Sequence, residues 1–216
     1  AEAAATFEEL GLEQPRLEAE LLLSFALDVE RQHLYLEPVL TTAVPQVERF
    51  RHFVSQRVAR QPLQYITGEA AFRYLRLRVD ESVLIPRPET EVLVDRALEL
   101  LSSGAEETTV LDVGCGSGAI GLALAFESAA ALVVGMDISP EALVITRFNA
   151  RRHGLEARVR LLRSDLLDPV LPRRQFDLIV SNPPYVASGA AYASTKASEL
   201  GERASAGLSE ANTALA

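Results

Sequence analysis

The clearest indication of the fold comes from residues 108–118, which read TTVLDVGCGSG. Its first six residues are β-branched or apolar apart from one acid, which is typical of a short buried strand. Three glycines then alternate with small residues, directly before an alanine-rich segment that predicts a helix over residues 119–126. Glycines at such a junction permit a tight turn and let a ligand approach the backbone closely. The stretch therefore predicts a strand, a ligand-binding turn and a helix.

The same alternation of helix and strand extends to both sides of this stretch. Pro88 and the acids that follow it predict a helix to about residue 103, because acids are favourable in a first turn. Ser139 and Pro140 have the chemistry of a helix N-cap and first position, which predicts a helix to about residue 152. Further strands are predicted at residues 131–136, 157–162 and 176–180. Strands that alternate with helices indicate right-handed βαβ units and a parallel sheet in an α/β fold.

The region before this unit has a different pattern. Residues 1–68 carry two apolar stripes at helical spacing and predict a small all-α domain that docks the substrate. Residues 69–85 alternate between apolar residues and charges, which favours a β-hairpin linker. Residues 187–216 are rich in alanine and serine and predict a low-complexity tail. The two stripes are Leu17, Leu21, Leu22 and Phe25, then Val47, Phe50, Val54 and Val58.

Composition excludes several classes of protein. The 216 residues are 48% hydrophobic and 24% charged, which is the balance of a globular protein rather than a disordered one. The apolar stretches are shorter than a membrane span of roughly 20 residues. A single cysteine excludes an intramolecular disulfide framework and a cysteine-based zinc cluster. The net charge of −9 argues against a broad grip on nucleic-acid backbone.

Two acids strengthen the prediction of a nucleotide-like ligand. Asp112 stands two residues before the first glycine of the loop, and Asp137 ends the next predicted strand. An acid at that strand end can accept hydrogen bonds from both hydroxyls of a ribose. Ala119 fills the third position of a dinucleotide fingerprint, so a dinucleotide stays open on spacing alone. The Asp112 carboxylate favours a cationic ligand over a pyrophosphate, and S-adenosylmethionine carries both a sulfonium and an ammonium.

A second candidate site follows the fourth predicted strand. Residues 181–185 read SNPPY, and the carboxyl ends of parallel strands face the ligand crevice of an open sheet. Prolines offer no N–H group, so the backbone there presents mainly carbonyls. The Asn182 side-chain oxygen and a neighbouring carbonyl form two acceptors for an –NH2 group. Tyr185 adds an aromatic wall.

The glycine loop and the SNPPY segment together resemble class I S-adenosylmethionine-dependent methyltransferases that modify planar nitrogens. Residues 61–68 (QPLQYITG) and 85–91 (IPRPETE) narrow the resemblance to the peptide chain release factor N5-glutamine methyltransferase family, over about residues 7–186. That family implies a Rossmann-like parallel sheet and a catalytic domain over residues 86–186. It also implies methylation of the glutamine amide nitrogen in the Gly-Gly-Gln motif of a release factor, by a cytoplasmic enzyme, or one in the mitochondrial matrix if the source is eukaryotic.

The resemblance assigns roles to individual residues. Asn182, Pro183 and Tyr185 are implied to be catalytic, and with Pro184 they bind the glutamine side chain. Asp165 and Leu166 are implied to flank the adenine. No metal is expected, and we expect a monomer without direct contact to nucleic acid or membrane. The implied cofactor contacts are Asp112, Gly114, Cys115, Gly116, Ser117, Gly118, Asp137, Asp165, Leu166 and Asn182.

The sequence departs from the family after SNPPY. Four strands are predicted where the family has seven, so the C-terminal half of the sheet is expected to be incomplete. The strand before Asn182 would then be an open edge. We therefore expect a truncated chain of weak activity. Two alternatives stay open: a methyltransferase that acts on an adenine or guanine amino group, and a remnant that binds cofactor or release factor without turnover. Cys115 is interpreted as a small side chain in a crowded turn, and the arginines of residues 147–163 as a solvated surface.

Overall fold

The computed structural model describes residues 2–36, 43–102, 107–165 and 176–182. The chain divides into two compact units, Ala1–Glu69 and Ala70–Ala216. Among the described residues, no helix is long and apolar enough to cross a membrane.

The first unit is helical in its described part. Its core is formed by side chains from four of its helices and is centred on Phe7 and Leu22, which are fully buried. Pro45 lies in the first turn of its longest helix, as the sequence predicts. The helices are α1 (Glu2–Glu9), α2 (Pro15–Leu27), α3 (His33–Leu36), α4 (Val44–Val58) and α5 (Leu63–Thr67).

The predicted apolar stripes of this unit contribute to its core: Leu22 is buried, and Phe25, Phe50 and Val54 pack against the core. Three of the four predicted stripe residues of α2 are only half-buried, and the buried residues of this helix are Ala19, Leu22, Ser24, Ala26 and Leu27. On α4 the buried residue is Phe53, and Val58 is exposed. Both helices also carry apolar side chains outside the predicted stripes, so periodicity alone did not determine which residues are fully buried.

The second unit opens with a hairpin and continues as an α/β sheet. The hairpin strands are β1 (Glu69–Phe72) and β2 (Leu75–Arg78). Arg73, in the turn between them, binds the Glu127 carboxylate through Nη2 at 2.7 Å and the Asp95 carboxylate through Nη1 at 2.7 Å. The turn is thereby fixed to two helices. The remaining elements are α6 (Glu89–Ser102), β3 (Thr108–Val113), α7 (Ala119–Glu127), β4 (Ala131–Asp137), α8 (Pro140–Arg152), β5 (Val159–Arg163) and β6 (Leu178–Ser181).

The four strands β3 to β6 form one parallel sheet in the order β5-β4-β3-β6. The chain leaves β3 towards β4 and β5, and then returns to the other side of β3 with β6. The strand order therefore reverses between β3 and β6, and ligands of open α/β sheets bind at the carboxyl ends of the strands beside such a switch point. This is the predicted Rossmann-like parallel sheet, and among the described strands β6 is an edge.

Helix α7 packs against both the sheet and α6. Seven of its nine residues are buried, which explains its small side chains. A Cβ atom at Gly121 would lie 2.9 Å from Asp112 Oδ2 and 2.9 Å from Val133 Cγ1, so only glycine permits this approach of helix to strand. The close packing fixes the start of α7, and with it the glycine loop, against the end of β3.

Candidate active site

The glycine loop is anchored to the strand beside it. The main-chain N–H groups of Gly114 and Cys115 donate to the carbonyl of Met136, at 2.8 and 2.9 Å. Gly114, Gly116 and Gly118 have φ angles of 73°, 56° and 82°, in the left-handed region that glycine adopts without strain. The loop thus has its alternating glycines because every second residue takes this conformation.

The three glycines face different surroundings. A Cβ atom at Gly114 or Gly116 would meet nothing within 4 Å, so the loop is open there. A Cβ atom at Gly118 would lie 2.7 Å from Thr146 Cγ2, because this glycine caps α7 against α8. The first two glycines leave room for a ligand, and the third permits helix packing.

Asp137 joins the glycine loop to the end of β4. Its carboxylate accepts a hydrogen bond from Gly116 N at 2.9 Å through Oδ2 and one from Ser139 N at 3.0 Å through Oδ1. A carboxylate has about four acceptor sites, so both oxygens retain capacity for a ligand. The side chain is half-buried beside the open part of the loop. This geometry suits the recognition of two neighbouring hydroxyl groups.

Asp112 lies beneath the loop rather than in front of it. Its side chain is buried, and Oδ2 accepts from Gly121 N at 2.9 Å, which ties β3 to α7. Oδ1 is buried and has no hydrogen-bond partner among the described residues. Burial raises the pKa of Asp112 to about 7; the Gly121 N–H opposes the shift, and the charge of Asp137 adds to it. Oδ1, the oxygen that carries the proton below this pKa, is thus a buried polar atom without a partner among the described residues.

The buried carboxyl makes stability depend on pH. Unfolded, Asp112 ionises near pH 4, whereas the folded chain holds its proton until about pH 7. Stability from this group is therefore complete below pH 4 and is lost as the pH rises to 7. We expect the free energy of unfolding, measured with urea at pH 5 and pH 8, to fall by about 3 kcal/mol more in the wild type than in Asp112→Asn. Equal pH dependence in the two proteins would contradict the assignment.

Two polar residues of α8 hold the loop from behind, and the sequence analysis missed both. Thr146 Oγ1 donates to the carbonyl of Gly116 at 2.8 Å. Asn149, fully buried, donates from Nδ2 to the carbonyls of Ser117 at 2.9 Å and Arg78 at 3.0 Å, and accepts from Arg78 N at 2.7 Å. The loop, α8 and the hairpin are thereby joined. The sequence feature that could have indicated these two residues is a threonine and an asparagine three positions apart on an otherwise apolar helix face.

Cys115 packs into the same region. Its Sγ lies 3.6 Å from Thr146 Oγ1 and is buried. Burial, followed by the charge of Asp112, raises the pKa of the Cys115 thiol. The thiol is therefore neutral, which supports the interpretation of a small side chain in the turn over that of a nucleophile.

Asn182 lies beside the glycine loop across the switch point. Strands β3 and β6 pair with Val113 opposite Ser181, so Asn182 follows β6 where Gly114 follows β3. Ser181 Oγ donates to the carbonyl of Val113 at 2.9 Å and fixes this register at its last residue. The Asn182 Nδ2 group donates to Thr90 Oγ1 at 2.9 Å, whereas its Oδ1 accepts nothing from the described residues. The site therefore offers one oriented carboxamide oxygen.

The other predicted site residues are less well placed. Asp165 follows β5 and is exposed, and the neighbouring Ser164 N donates to the carbonyl of Asp137 at 3.0 Å. In the 85–91 segment, Arg87 and Glu89 are exposed, whereas Thr90 is buried and reaches Asn182. Four predicted residues lie outside the described part of the chain: Leu166, Pro183, Pro184 and Tyr185.

Parallel strands in the order β5-β4-β3-β6, with a glycine loop after β3 and an acid at the end of β4, define a Rossmann-like methyltransferase fold. Residues 90–211 match the family model described as "Methyltransferase small domain", and residues 1–68 match "PrmC N-terminal domain". The first match covers more than half of the chain. The chain therefore belongs to the methyltransferase small domain family.

Curated relatives agree with this membership. The chain is 41% identical over 189 residues to the release factor glutamine methyltransferase of Chlorobaculum tepidum. This alignment covers 84% of this chain and 64% of that protein. It is 47% identical over 172 residues to the protein of the same name from Koribacter versatilis, and this alignment covers 80% of this chain and 60% of that protein. These matches confirm the family resemblance carried by the motifs. The chain spans less than two thirds of the length of these relatives.

Solved structures include a SAM-dependent methyltransferase from Agrobacterium tumefaciens. It is similar to this chain with a TM-score of 0.47 at 22% identity, over 54% of this chain and 39% of that one.

Proposed function

We propose that this chain transfers a methyl group from S-adenosylmethionine to the side-chain amide nitrogen of the glutamine in the Gly-Gly-Gln motif of a peptide chain release factor. One observation carries the proposal. The open glycine loop after β3 and the carboxamide of Asn182 after β6 lie at neighbouring ends of paired parallel strands. A methyl donor and an acceptor for an amide can therefore meet in one crevice.

The residues present fit S-adenosylmethionine. Asp137 suits the ribose hydroxyls, and Gly114 and Gly116 leave the loop open to close approach. Asp112 contributes from beneath the loop, where its buried side chain accepts from Gly121 N and ties β3 to α7. The family resemblance adds Cys115, Ser117 and Gly118 of the loop, and places Asp165 and Leu166 beside the adenine. When bound, the cofactor supplies an electrophilic methyl group on a sulfonium.

Asn182 acts on the substrate amide in this proposal. A carboxamide nitrogen is a poor nucleophile, because its lone pair is delocalised into the carbonyl. Asn182 Oδ1 accepts a hydrogen bond from one N–H of the substrate, and the main-chain carbonyl of Pro183 accepts from the other. These acceptors favour positive charge that develops on nitrogen and align it for in-line transfer. The nitrogen takes the methyl group as the bond from methyl to the sulfonium sulfur breaks and a neutral thioether leaves, and it releases one proton to water without a dedicated base.

The resemblance to the family extends the proposal to partners and location. The helical region 1–68 docks the release factor, residues 86–186 form the catalytic domain, and Pro184 and Tyr185 border the glutamine. The enzyme works as a monomer in the cytoplasm, without direct contact to nucleic acid. The net charge of −9 and the names of the curated relatives support glutamine over a nucleic-acid amino group.

A labelling experiment separates these substrates. The chain is incubated with methyl-labelled S-adenosylmethionine and either a release factor or ribosomal RNA, each at the same concentration. We expect label in the release factor alone. Label in the RNA alone would replace the proposal with the nucleic-acid alternative, and calorimetric binding of the cofactor without label in either would indicate a remnant without turnover.

A matched pair of glycine variants tests the cofactor site. Gly116 and Gly11 have φ angles of 56° and 69°, and a Cβ atom at either would meet nothing within 4 Å. Alanine therefore strains the backbone equally, by about 1 kcal/mol, at both positions. We expect only Gly116→Ala to weaken S-adenosylmethionine binding, by about tenfold in calorimetry, because its methyl group enters the open crevice. Equal affinities of the two variants would place the cofactor elsewhere.

A further inference from the structure

Thr90 connects the start of α6 to the candidate catalytic carboxamide. Its Oγ1 accepts the hydrogen bond from Asn182 Nδ2 at 2.9 Å, across 92 positions of sequence. Its main-chain N–H donates to the carbonyl of Arg87 at 3.0 Å, which fixes the backbone on which the hydroxyl is carried. The Thr90 hydroxyl is thus carried by α6 on one side of the crevice, and Asn182, which follows β6 on the other side, donates a hydrogen bond to it.

The residues around Thr90 indicate that its hydroxyl serves the hydrogen bond with Asn182 rather than core packing. Helix α6 buries Thr90, Val94, Ala97 and Leu101, which recur at intervals of four and three residues on one face. The other three side chains are apolar and pack in the main core of this unit. Thr90 is the polar member of the stripe and lies at the end next to Asn182. Packing alone would accept valine, which has nearly the same shape.

In the structure the contact holds the Asn182 carboxamide with its Nδ2 group on Thr90 Oγ1. An asparagine carboxamide can turn by 180°, which exchanges an acceptor oxygen for a donor nitrogen. Nδ2 towards Thr90 leaves Oδ1 free for the N–H groups of an amide. The reverse orientation would oppose the Nδ2–H groups to the substrate N–H groups, which places donors against donors.

We propose that Thr90 is a positioning residue that holds Asn182 with its oxygen towards the substrate amide. The inference rests on the proposed function, because an –NH2 substrate is what makes this orientation productive. Thr90 touches neither the substrate nor the cofactor in this account. Its loss therefore lowers the rate of transfer and leaves binding of S-adenosylmethionine unchanged.

Three threonine variants test the inference. Thr90→Val removes the hydroxyl and keeps the shape, Thr90→Ser keeps the hydroxyl, and Thr108→Val makes the same change at a buried threonine at the amino end of β3. For methylation of a release factor, we expect kcat to fall at least about tenfold in Thr90→Val, because a misplaced reacting group costs up to about 100-fold. Thr90→Ser and Thr108→Val should stay within about threefold of wild type, with the affinity for S-adenosylmethionine unchanged in all three.

A second readout does not depend on activity. In ¹⁵N-resolved NMR, the side-chain NH2 protons of Asn182 should shift upfield and exchange faster with water in Thr90→Val, but not in Thr108→Val. An unchanged Asn182 signal, or transfer by Thr90→Val within about threefold of wild type, would overturn the positioning role. Absence of transfer by the wild type would overturn the proposed function instead, and the NMR signal would still decide whether Thr90 holds the carboxamide.

Discussion

Replacement of Asn182 by alanine is expected to lower kcat for release factor methylation by about 100- to 1000-fold, the usual effect of removing one preorganised group that stabilises transition-state charge. The structure gives the reason: Oδ1 of this side chain is free among the described residues, beside the open glycine loop. The measurement is the steady-state rate of labelled methyl transfer at saturating cofactor and release factor.

The control for this variant is Ser181→Ala. Ser181 precedes Asn182, and its hydroxyl binds the carbonyl of Val113 at the end of the paired strand. Its loss should lower the free energy of unfolding by about 1 kcal/mol and leave the rate of transfer close to wild type. Comparable losses of rate in both variants would mean that the end of β6, rather than the carboxamide, is what the reaction requires.

Replacement of Asp137 by alanine is expected to weaken binding of S-adenosylmethionine by about 10- to 100-fold, since hydrogen bonds to a charged group contribute about 1.5–3 kcal/mol. Two effects combine: the ribose loses its carboxylate, and Gly116 N loses the acceptor that fixes the loop. Isothermal titration calorimetry with S-adenosylmethionine measures the change directly.

Asp177→Ala is the matched control for the loss of a carboxylate. Asp177 Oδ2 accepts from Thr109 N at 2.9 Å, at the amino end of the sheet. Its removal should cost stability and leave the cofactor affinity unchanged, because the carboxyl ends of the strands form the crevice. Weakened affinity in Asp177→Ala to the same degree as in Asp137→Ala would show that sheet stability, not ribose recognition, governs binding.

The sheet could be predicted from sequence because its signals are local. Buried parallel strands are short apolar runs, and each is followed by residues that end it. Ser139 is a clear case: its side chain accepts from Ala142 N at 3.1 Å and caps α8, as its position before Pro140 predicts. The predicted strands agree with β3 to β6, although β5 and β6 begin two residues later than expected. The delay before β5 is due to a turn in which Arg158 N donates to the carbonyl of Leu155.

The parts of the site that escaped prediction depend on contacts between distant segments. Thr90 meets Asn182 across 92 positions, and Asn149 meets Arg78 across 71. The spacing of residues within one helix does not indicate which polar side chain on its buried face will form a hydrogen bond with a distant segment. Asp112 was expected to face a cation, and its burial beneath the loop follows from the close packing of Gly121. Sequence located the loop and Asn182, but not the residues that orient them.

Tandem mass spectrometry of a release factor after incubation with this chain and S-adenosylmethionine shows whether the glutamine is the methyl acceptor. We expect one added methyl group, located on the side-chain nitrogen of the glutamine in the Gly-Gly-Gln motif, and its absence when Asn182→Ala replaces the wild type. An unmodified glutamine after incubation with a chain that binds the cofactor, or a methyl group on a different residue, would contradict it.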